Sequence, residues 1–543
     1  EVVKDGNMVQ KTRNTIGPRS KGQFVAEGLN VTDDGCEYLL NVQVCLAAAK
    51  PWARAGYVQM DEQLQLTKAR DIDPGFSVAA GTVTKAGAVI KGEGFEVIMD
   101  DDRGTIQSLK YNGKEMFLPY GGPVVSALRA PVDNDNWIYG QWFSNGLHNL
   151  QHKATAKKQY TRNDGAEVVS YTVESRAPQA GRISGGASGR YKIEDAGECM
   201  FFFSSNIIYT IFPDGSVEVE AAITGSNPDL ILPRLGFEVK TPTALSQYTY
   251  YGRGPWNNYN DRCSGANIGI YKSTVREQFV NFPKPQEMGN REAVRWCSLT
   301  DAQGAGVQFI ALDSTMSTSC LPWSDLQMTL APHPHELPAS IGNHLHLDIA
   351  VTGLGGNSCG QGGPLKHDRI YATPHTFGFV IRPAAMPHRA TRKGDMRKPI
   401  VLERTNKVSV AYVSSEETNG DYARNLLDGD PTTIWHTMYS VTVAQYPHWI
   451  DFDCGKMTTI KGFTLLPRQD WGSNGLIKDF KAEVSTDGKT WKLVHEGAFA
   501  NNKDRQRINF AKTVKARYLR FTALSSQAGN DFASAAEFTV VTE

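Results

Sequence analysis

The stretch KDFKAEVSTDGKTWKLVHEG, residues 478–497, combines the two features that decide the fold of this 543-residue chain. Its apolar and polar residues alternate, which is the period of a strand with one buried face. The Asp487-Gly488 pair between the two alternating runs is typical of a tight hairpin turn. The stretch therefore predicts two adjacent antiparallel strands.

The same texture recurs along the rest of the chain. Residues 37–47, EYLLNVQVCLA, and 215–223, GSVEVEAAI, alternate in the same way, with Gly, Asn and Asp between the alternating runs. No long amphipathic helical pattern is present in the sequence. We therefore predict an all-β protein made of antiparallel sandwiches or barrels.

Length and charge bound the possible partners. The length favours about three or four domains. The formal net charge is +0 and the pI is about 7.3, so no electrostatic field favours nucleic acid or an anionic membrane. No apolar run approaches the roughly 20 residues of a membrane helix. We predict no nucleic-acid partner and no membrane span.

Two changes of composition suggest boundaries between domains. After residue 384 the chain becomes rich in proline and basic residues, which suits an exposed linker over 385–403. A softer boundary lies near residues 70–84. The eight cysteines show no CxxC pair or regular spacing, which is typical of small buried apolar residues. Disulfides remain open at this point.

The segment YGRGPWNNYNDR, residues 251–262, is a candidate sugar site. Two glycines and a proline bend and stiffen the backbone. They precede an indole ring and a row of amide and charged side chains that suit the faces and hydroxyls of a sugar. No pair of carboxylates stands in a recognisable glycosidase setting, although the sequence cannot exclude one.

Residues 344–348 contain the pattern HxHxD. On a strand, His344, His346 and Asp348 project to the same face, where they could hold zinc. The alternative is a polar edge that faces solvent, or a surface that packs against another domain. The glycine-rich run 353–363 has no βαβ frame, so it indicates a loop that needs positive φ and not a phosphate site.

The C-terminal block contains a candidate calcium turn in ARNLLDGDPTTIWHT, residues 423–437. Asp428 and Asp430 flank a glycine, with Thr433 close by, and such oxygens suit calcium. An ordinary Asx turn is the alternative. His436, together with Arg468, Trp471 and Asn474 further along, are residue types that bind sugars in exposed loops; those residues are the candidate sugar contacts.

Residues 84–384 resemble the small-chain domain of the glycoside hydrolase family 2 β-galactosidases. The matching segments are RAPVDNDNW (129–137), YGRGPWNNYNDR (251–262), PKPQEMGNREAVRW (283–296), HLDIAVTGLGGNSCG (346–360) and HTFGFVIRP (375–383). The resemblance implies an antiparallel super-sandwich like that of the galactose mutarotases. Residues 1–80, with the PWARAG pattern, resemble the later strands of the immunoglobulin-like sandwich that precedes it.

Residues 404–543 resemble the coagulation factor 5/8 type C, or discoidin, domain, which includes carbohydrate-binding module family 32. The resemblance implies a jelly-roll β-sandwich with a structural calcium ion. The implied calcium ligands are Asp428, Asp430, Thr433 and Glu537. The implied sugar contacts are His436, Arg468, Trp471, Asn474 and Phe532.

The β-galactosidase resemblance also implies a role for the candidate sugar site at residues 251–262. The loop of Gly254, Pro255, Trp256, Asn257 and Asn258 is implied to frame the mouth of the active site. By counting back from Gly353, the position that stacks on the leaving sugar in some relatives is assigned to His344. Asn257 stands where relatives often carry glutamate, so lactose is not assumed as the substrate.

Together these resemblances predict a C-terminal piece of a retaining β-galactosidase that frames the active site and binds galactosides or other glycans. The acid and nucleophile glutamates of that family lie on a (β/α)₈ barrel that is not in this sequence, so we expect no hydrolysis by this chain. The alternatives are an adhesion or protein-binding discoidin protein and the natural small subunit of a two-chain enzyme. The architecture suggests a periplasmic or secreted setting.

Overall fold

The structure is a computed structural model that describes residues 1–14, 28–32, 34–67, 83–162, 164–185, 190–312, 314–355, 363–384, 408–417, 420–428, 431–470 and 472–542. The regular structure of these residues is mostly strand, and every ladder between strands is antiparallel. The prediction of an all-β protein is confirmed. The chain divides into two compact units, Glu1–Val401 and Leu402–Glu543. The predicted linker 385–403 lies outside the described residues.

Helices are short wherever the structure describes the chain. The α-helices are Tyr139–Ser144 and Asp325–Leu330. The 3₁₀ turns are Asp133–Trp137, Leu147–Asn149, Arg276–Gln278, Pro334–Glu336, Lys366–Asp368 and Ala423–Leu427. No described helix has the length and apolar composition needed to cross a bilayer.

The first unit contains four main sheets, whose strands follow in spatial order. The first sheet is Asn7–Gln10, Val2–Lys4, Tyr38–Cys45 and Val58–Gln65. The second is Thr84–Ala86, Val89–Gly92, Phe95–Asp100, Thr105–Tyr111 and Lys114–Glu115. The nine-stranded sheet is Gln151–Thr161, Glu167–Arg176, Phe202–Ile211, Val217–Gly225, His375–Pro383, Gly306–Ala311, Trp296–Thr300, Gln247–Gly254 and Asn267–Thr274.

The fourth sheet supports the candidate site from beneath and is here called the site sheet. Its strands are Val124–Ser126, Arg234–Thr241, Asn343–Val351, Met316–Leu321 and Arg291–Val294. Two smaller ladders join Gln179–Ser184 to Lys192–Glu198 and Ile231–Leu232 to Ile370–Tyr371.

The site sheet buries one apolar face against the nine-stranded sheet. The ring of Phe237, on the site sheet, lies 6.3 Å from that of Phe377 and 5.5 Å from that of Phe379, both on the nine-stranded sheet. In the strand Asn343–Val351, Leu345 and Leu347 are 0% exposed and belong to this core. The alternation that leaves these leucines inward directs the intervening polar residues to the opposite face.

The N-terminal sheet is fastened to the edge of the nine-stranded sheet. The Gln63 amide donates to the Ile268 carbonyl at 2.8 Å and accepts from the Ile268 N–H at 2.8 Å. Deeper in the same contact, Glu37 pairs with Arg295 at 2.6 Å and accepts a hydrogen bond from the Tyr251 hydroxyl. The Gln63 side-chain amide therefore makes the two hydrogen bonds that the backbone of a neighbouring strand would make, and it covers the sheet edge at Ile268.

The second unit is a β-sandwich in which the predicted hairpin forms. Its main sheet orders Ser409–Val413, His448–Leu466, Gln506–Ala523, Asp479–Ser485 and Lys492–Ala498, and Glu537–Thr542 also pairs with His448–Leu466. The Asp487 carboxylate accepts the N–H groups of Lys489 and Thr490, both at 2.9 Å. On two adjacent strands of this unit, Phe463 stacks on Phe538 at 5.0 Å within the core.

The cysteines follow the sequence prediction only partly. The seven described cysteines are all free, and Cys199, Cys297, Cys320 and Cys454 are buried. Cys45 is exposed, because it stands at the outer end of the strand Tyr38–Cys45, beyond the buried residues. Cys359 lies outside the described residues.

Candidate functional site

Residues 254–258, here called the tryptophan loop, follow directly from the strand Gln247–Gly254. Gly254 is required there, because a Cβ would lie 2.4 Å from the Tyr250 hydroxyl and 2.7 Å from the Tyr271 ring. The peptide bond from Gly254 to Pro255 is cis. The chain then turns outward, and Trp256 is 76% exposed. A large apolar ring is therefore presented to solvent from a rigid strand end.

Asn258 fixes the base of the tryptophan loop and does not face a ligand. Its side-chain amide donates to the carbonyls of Arg253 and Trp256 at 3.1 and 2.9 Å. Its side-chain oxygen accepts the Glu292 N–H at 2.9 Å. Its backbone exchanges hydrogen bonds with Asn290, at 2.9 and 2.8 Å. Because its side-chain amide and oxygen are bonded within the protein, Asn258 is a structural residue, whereas the neighbouring Asn257 is partly exposed.

A buried charged cluster supports the loop from beneath. The Tyr259 hydroxyl donates to Glu287 at 3.1 Å, and Glu287 pairs with Arg234 at 2.7 Å. The guanidinium of Arg234 also lies 3.5 Å from Asp348. Burial raises the pKa of Asp348 even though the charge of Arg234 opposes that shift. Several carboxylates around one guanidinium thus hold the segment 287–291 against the polar face of the site sheet.

Glu292 borders this cluster and carries a perturbed carboxyl group. Burial raises its pKa to about 7, against the hydrogen bonds from Ser317 and Asn290 at 2.8 and 2.7 Å. A carboxyl that exchanges its proton near neutral pH makes the charge of this region depend on pH. Sequence reasoning did not single out Glu292, because its shift depends on burial by distant segments.

A second loop meets the tryptophan loop at the end of the strand Asn343–Val351. The Gly355 N–H donates to the Asp261 carboxylate at 2.8 Å, and a Cβ on Gly353 would lie 2.6 Å from that carboxylate. The Asn134 amide donates to the Leu354 carbonyl at 3.1 Å. Three motifs quoted from the sequence therefore come together: RAPVDNDNW, YGRGPWNNYNDR and GLGG.

The structure does not bring His344 to this loop. His344 and Val351 are seven residues apart on one strand, about 23 Å, and the loop contacts lie beyond Val351. His344 instead lies 2.7 Å from Glu238. Burial acts to raise the pKa of Glu238, but this hydrogen bond and the charge of Lys240 outweigh burial and lower it. Counting back from Gly353 located His344 by its position in the sequence alone. Because the intervening residues are extended along one strand, His344 lies far from the loop.

The HxHxD residues share one face, as the alternation predicts, but they do not converge on a common point. His344 pairs with Glu238, His346 with Asp325 at 3.1 Å, and Asp348 with Arg234. The helix Asp325–Leu330 and the segment 278–290 cover this face. The polar face is therefore a packing surface, but segments of the same unit cover it and not another domain.

In the second unit, His436 lies between two aromatic rings. Its ring is 4.9 Å from that of Tyr439 and 5.5 Å from that of Phe532. The His436 Nδ1 atom lies 2.7 Å from the Thr437 carbonyl. Burial lowers the pKa of His436, and the charge of Arg468 adds to that effect. A neutral imidazole, which can donate and accept, is therefore favoured near pH 7.

Arg468 and Asn474 lie on one ordered turn. The Arg468 guanidinium donates to the Asn474 carbonyl at 2.9 Å and pairs with Asp470 at 2.5 Å. The Asn474 side-chain oxygen accepts from the Asn530 amide at 2.6 Å. Asn474 is exposed, so its amide N–H groups face solvent while its oxygen is held. Trp471 lies outside the described residues.

Ser534 connects His436 to Asn474. It pairs with His436 across a short ladder, and its hydroxyl donates to the Asn474 carbonyl at 2.8 Å. We name the segments 436–439, 468–474 and 530–534 the tip loops. They bring His436, Arg468, Asn474 and Phe532 to one end of the sandwich. Tyr439 and Asn530 join them there, and no sequence signal marks either residue.

The candidate calcium ligands are partly brought together. The Thr433 hydroxyl donates to the Asp428 carboxylate at 3.0 Å. The ladder pairs Trp435, two residues after Thr433, with Ala535, two residues before Glu537. Glu537 is 5% exposed. These oxygens fit a hard cation. Asp430 lies outside the described residues.

Comparison with known families identifies the regions to which these sequence motifs belong. Residues 91–381, more than half of the chain, match the family described as "Beta galactosidase small chain". This chain belongs to the β-galactosidase small-chain family. Ahead of the small-chain region, residues 1–67 match "Beta-galactosidase, domain 4". After it, residues 410–538 match "F5/8 type C domain".

Curated relatives of this small-chain protein are whole β-galactosidases. A β-galactosidase from Priestia megaterium is 27% identical over 399 residues, which cover 70% of this chain and 35% of that protein. One from Halalkalibacterium halodurans is 27% identical over 367 residues, which cover 66% of this chain and 32% of that protein. The chain spans about a third of the length of these relatives.

Solved structures similar to this chain include two from Clostridium perfringens. CpGH89CBM32-5 in complex with GalNAc-β-1,3-galactose is 32% identical and covers 24% of this chain and 94% of its own, with a TM-score of 0.23. The family 32 CBM of NanJ in complex with galactose is 28% identical and covers 24% of this chain and 92% of its own, with a TM-score of 0.22.

Proposed function

We propose that this chain is the C-terminal part of a retaining β-galactosidase, in which the small-chain region frames the active-site mouth. The observation that carries the proposal is the small-chain match over residues 91–381, which contains all the motifs that meet at the tryptophan loop. Retaining hydrolysis needs a nucleophilic carboxylate and a carboxylic acid about 5–5.5 Å apart. In this proposal a catalytic barrel supplies both groups, and the small-chain region supplies contacts to the sugar.

Trp256 is the principal contact in this proposal. An exposed indole offers a flat apolar face to the C–H groups of a sugar ring, and Asn257 beside it can bond hydroxyls. The loop that carries them keeps its shape because Asn258 and the Glu287–Arg234 pair use their polar atoms inside the protein. A preformed contact surface loses little entropy when a sugar binds.

The tip loops form the second binding surface in this proposal, for galactosides or other glycans. Phe532 supplies an apolar face, while His436, Arg468 and Asn474 supply polar groups within one short-range network. Trp471, which lies outside the described residues, is kept in this proposal as a sugar contact on the basis of the sequence. Such a combination of one platform and a few fixed polar groups suits a monosaccharide unit.

We further propose a structural calcium ion in the second unit, held by Asp428, Asp430, Thr433 and Glu537. Carboxylate and hydroxyl oxygens from the turn and from the start of the strand Glu537–Thr542 would be joined by the ion. The test is the melting temperature of the purified chain after chelation and after calcium is restored. At a concentration 100 times the Kd, calcium adds about 2.7 kcal/mol to the unfolding free energy. An unchanged melting temperature contradicts the proposal.

The test of the tip loops is calorimetric titration of the chain with galactose to about 10 mM, where the binding free energy is about −3 kcal/mol. We expect saturable binding that Asn474→Ala weakens. Asn509→Ala, at an exposed asparagine on the strand Gln506–Ala523, is the matched control and leaves binding unchanged. Equal binding by both variants would place the site elsewhere.

A chromogenic β-galactoside tests the first proposal. The purified chain should show no turnover above a heat-killed control, because the acid and the nucleophile belong to the barrel. Turnover that survives repurification would show that these residues themselves carry catalytic groups. Co-purification with a separate barrel-bearing chain would identify a natural two-chain enzyme.

An adhesion or protein-binding role is the competing function for the second unit, since its matched family is broader than sugar binding. Binding of collagen or phospholipid vesicles without any response to galactose would favour that role. A periplasmic or secreted location would suit either function, and fractionation of the source cells with an antibody against the chain would test it.

A further inference from the structure

A compact group of three exposed side chains lies in the first unit, on the turn Pro334–Glu336. His333 precedes the turn in extended conformation, and Pro334 begins it. The rings of His333 and His335 stack at 5.4 Å with an interplanar angle of 21°. The His333 Nδ1 atom lies 2.9 Å from Glu336. One ligand atom from each of the three residues lies within 4.8 Å of the others.

The donor set has the chemistry of a zinc site. Imidazole nitrogens and a carboxylate oxygen bind zinc at about 2.0–2.2 Å, so tetrahedral ligand atoms lie about 3.4 Å apart. Small rotations of exposed side chains would bring the three donors from their present separation to that spacing.

The backbone beneath the group is anchored. Leu337 packs against the apolar cluster that contains Met288, Trp323 and Met328. The Trp323 indole N–H donates to the Pro338 carbonyl at 2.8 Å. The side chains are therefore free to adjust while the turn that carries them is fixed, which reduces the entropy that metal binding costs.

One cation already approaches the carboxylate. The Arg190 guanidinium lies 3.4 Å from both oxygens of Glu336, and its side chain is 63% exposed. An exposed ion pair at this distance is weak. A divalent ion bonded to the two imidazoles can therefore bind Glu336 beside Arg190, or displace Arg190 from it.

We propose that His333, His335 and Glu336 form a surface site for Zn²⁺, with a fourth position open to water or to a donor atom of a bound molecule. Three protein ligands with one open position is the arrangement of zinc sites that exchange ligands. This proposal does not depend on the proposed β-galactosidase role.

The test is calorimetric titration of the full chain, freed of metal by chelation, with zinc chloride. We expect one equivalent of zinc to bind, with affinity about tenfold weaker or worse in His335→Ala and in Glu336→Gln. His367→Ala is the matched control, since His367 is exposed and next to a carboxylate. Its zinc affinity should equal that of the unchanged chain.

Cobalt provides the independent readout. Co²⁺ bound to the unchanged chain should give the visible absorption of a four-coordinate ion, and Glu336→Gln should abolish it. Circular dichroism of each variant checks that the fold is intact. Absence of zinc binding at tenfold excess, or equal binding by the unchanged chain and His335→Ala, overturns the proposal.

Discussion

The tryptophan loop and the tip loops have similar residue types but use them differently. In the tryptophan loop, the Asn258 side chain bonds to the protein, whereas the side chains of Trp256 and Asn257 reach solvent. In the tip loops, Asn474 binds the protein mainly through its backbone and stays exposed. A run of asparagine and tryptophan therefore does not by itself distinguish residues that hold a loop from residues that contact a ligand.

The largest expected effect comes from breaking the support of the tryptophan loop. Arg234→Met leaves the buried carboxyl groups of Glu287 and Asp348 without their cation, which should lower the unfolding free energy of the first unit by about 3–5 kcal/mol. Urea titration measures the loss. Arg162→Met, in a half-exposed pair with Asp164, should cost at most about 1 kcal/mol.

The Arg234 result can be sharpened with a double variant. Replacing both partners, as Arg234→Met with Glu287→Leu, removes the unpaired carboxyl group of Glu287 and should recover part of the loss. If the double variant is as unstable as the sum of the two single variants, the pair does not act as a unit.

The next effect is a dependence of stability on pH that Glu292 produces in the first unit. The pKa of Glu292 is raised from 4.5 to about 7, so the folded protein keeps a proton that the unfolded chain has released. The unfolding free energy should therefore fall as pH rises through this window, by up to about 1.4 kcal/mol per pH unit.

Glu292→Gln should remove this fall, so that the variant is more stable than the unchanged chain at pH 8 and similar to it near pH 4.5. Urea titrations at both pH values measure the difference. Glu62→Gln, at an exposed glutamate, should leave the slope unchanged. A Glu292→Gln slope equal to that of the unchanged chain would place the carboxyl in a more polar environment.

A smaller effect is expected at the base of the loop. Asn258→Ala removes three side-chain hydrogen bonds and leaves the Glu292 N–H without its acceptor, which should cost about 2 kcal/mol. Thermal unfolding measures this loss. Asn257→Ala should change stability by no more than about 0.5 kcal/mol. Equal losses would mean that the two asparagines are equivalent.

The smallest effect is expected at the tip loops. Asn474→Ala should leave the unfolding free energy within about 0.5 kcal/mol of the unchanged chain, because the side chain is exposed. The same variant should weaken galactose binding, as measured by calorimetry. A large loss of stability with unchanged binding would remove the distinction between the two loops.

The sequence predicted the fold better than it predicted the site. Alternation and turn chemistry are local, so the all-β architecture and the hairpin around Asp487 followed directly. The roles of Asn258 and His344 did not. Asn258 bonds to residues more than thirty positions away, and His344 is displaced from the loop by the length of its own strand.

By itself the sequence determined which faces of the strands are apolar and which family motifs are present, because both depend on residue identity and short spacing. Only the tertiary structure decided which polar groups form hydrogen bonds or ion pairs inside the protein. It set Glu287, Arg234 and Asp348 around one point and raised the pKa of Glu292. Those outcomes depend on burial and on distances between segments far apart in the chain, because charge interactions and desolvation act through space.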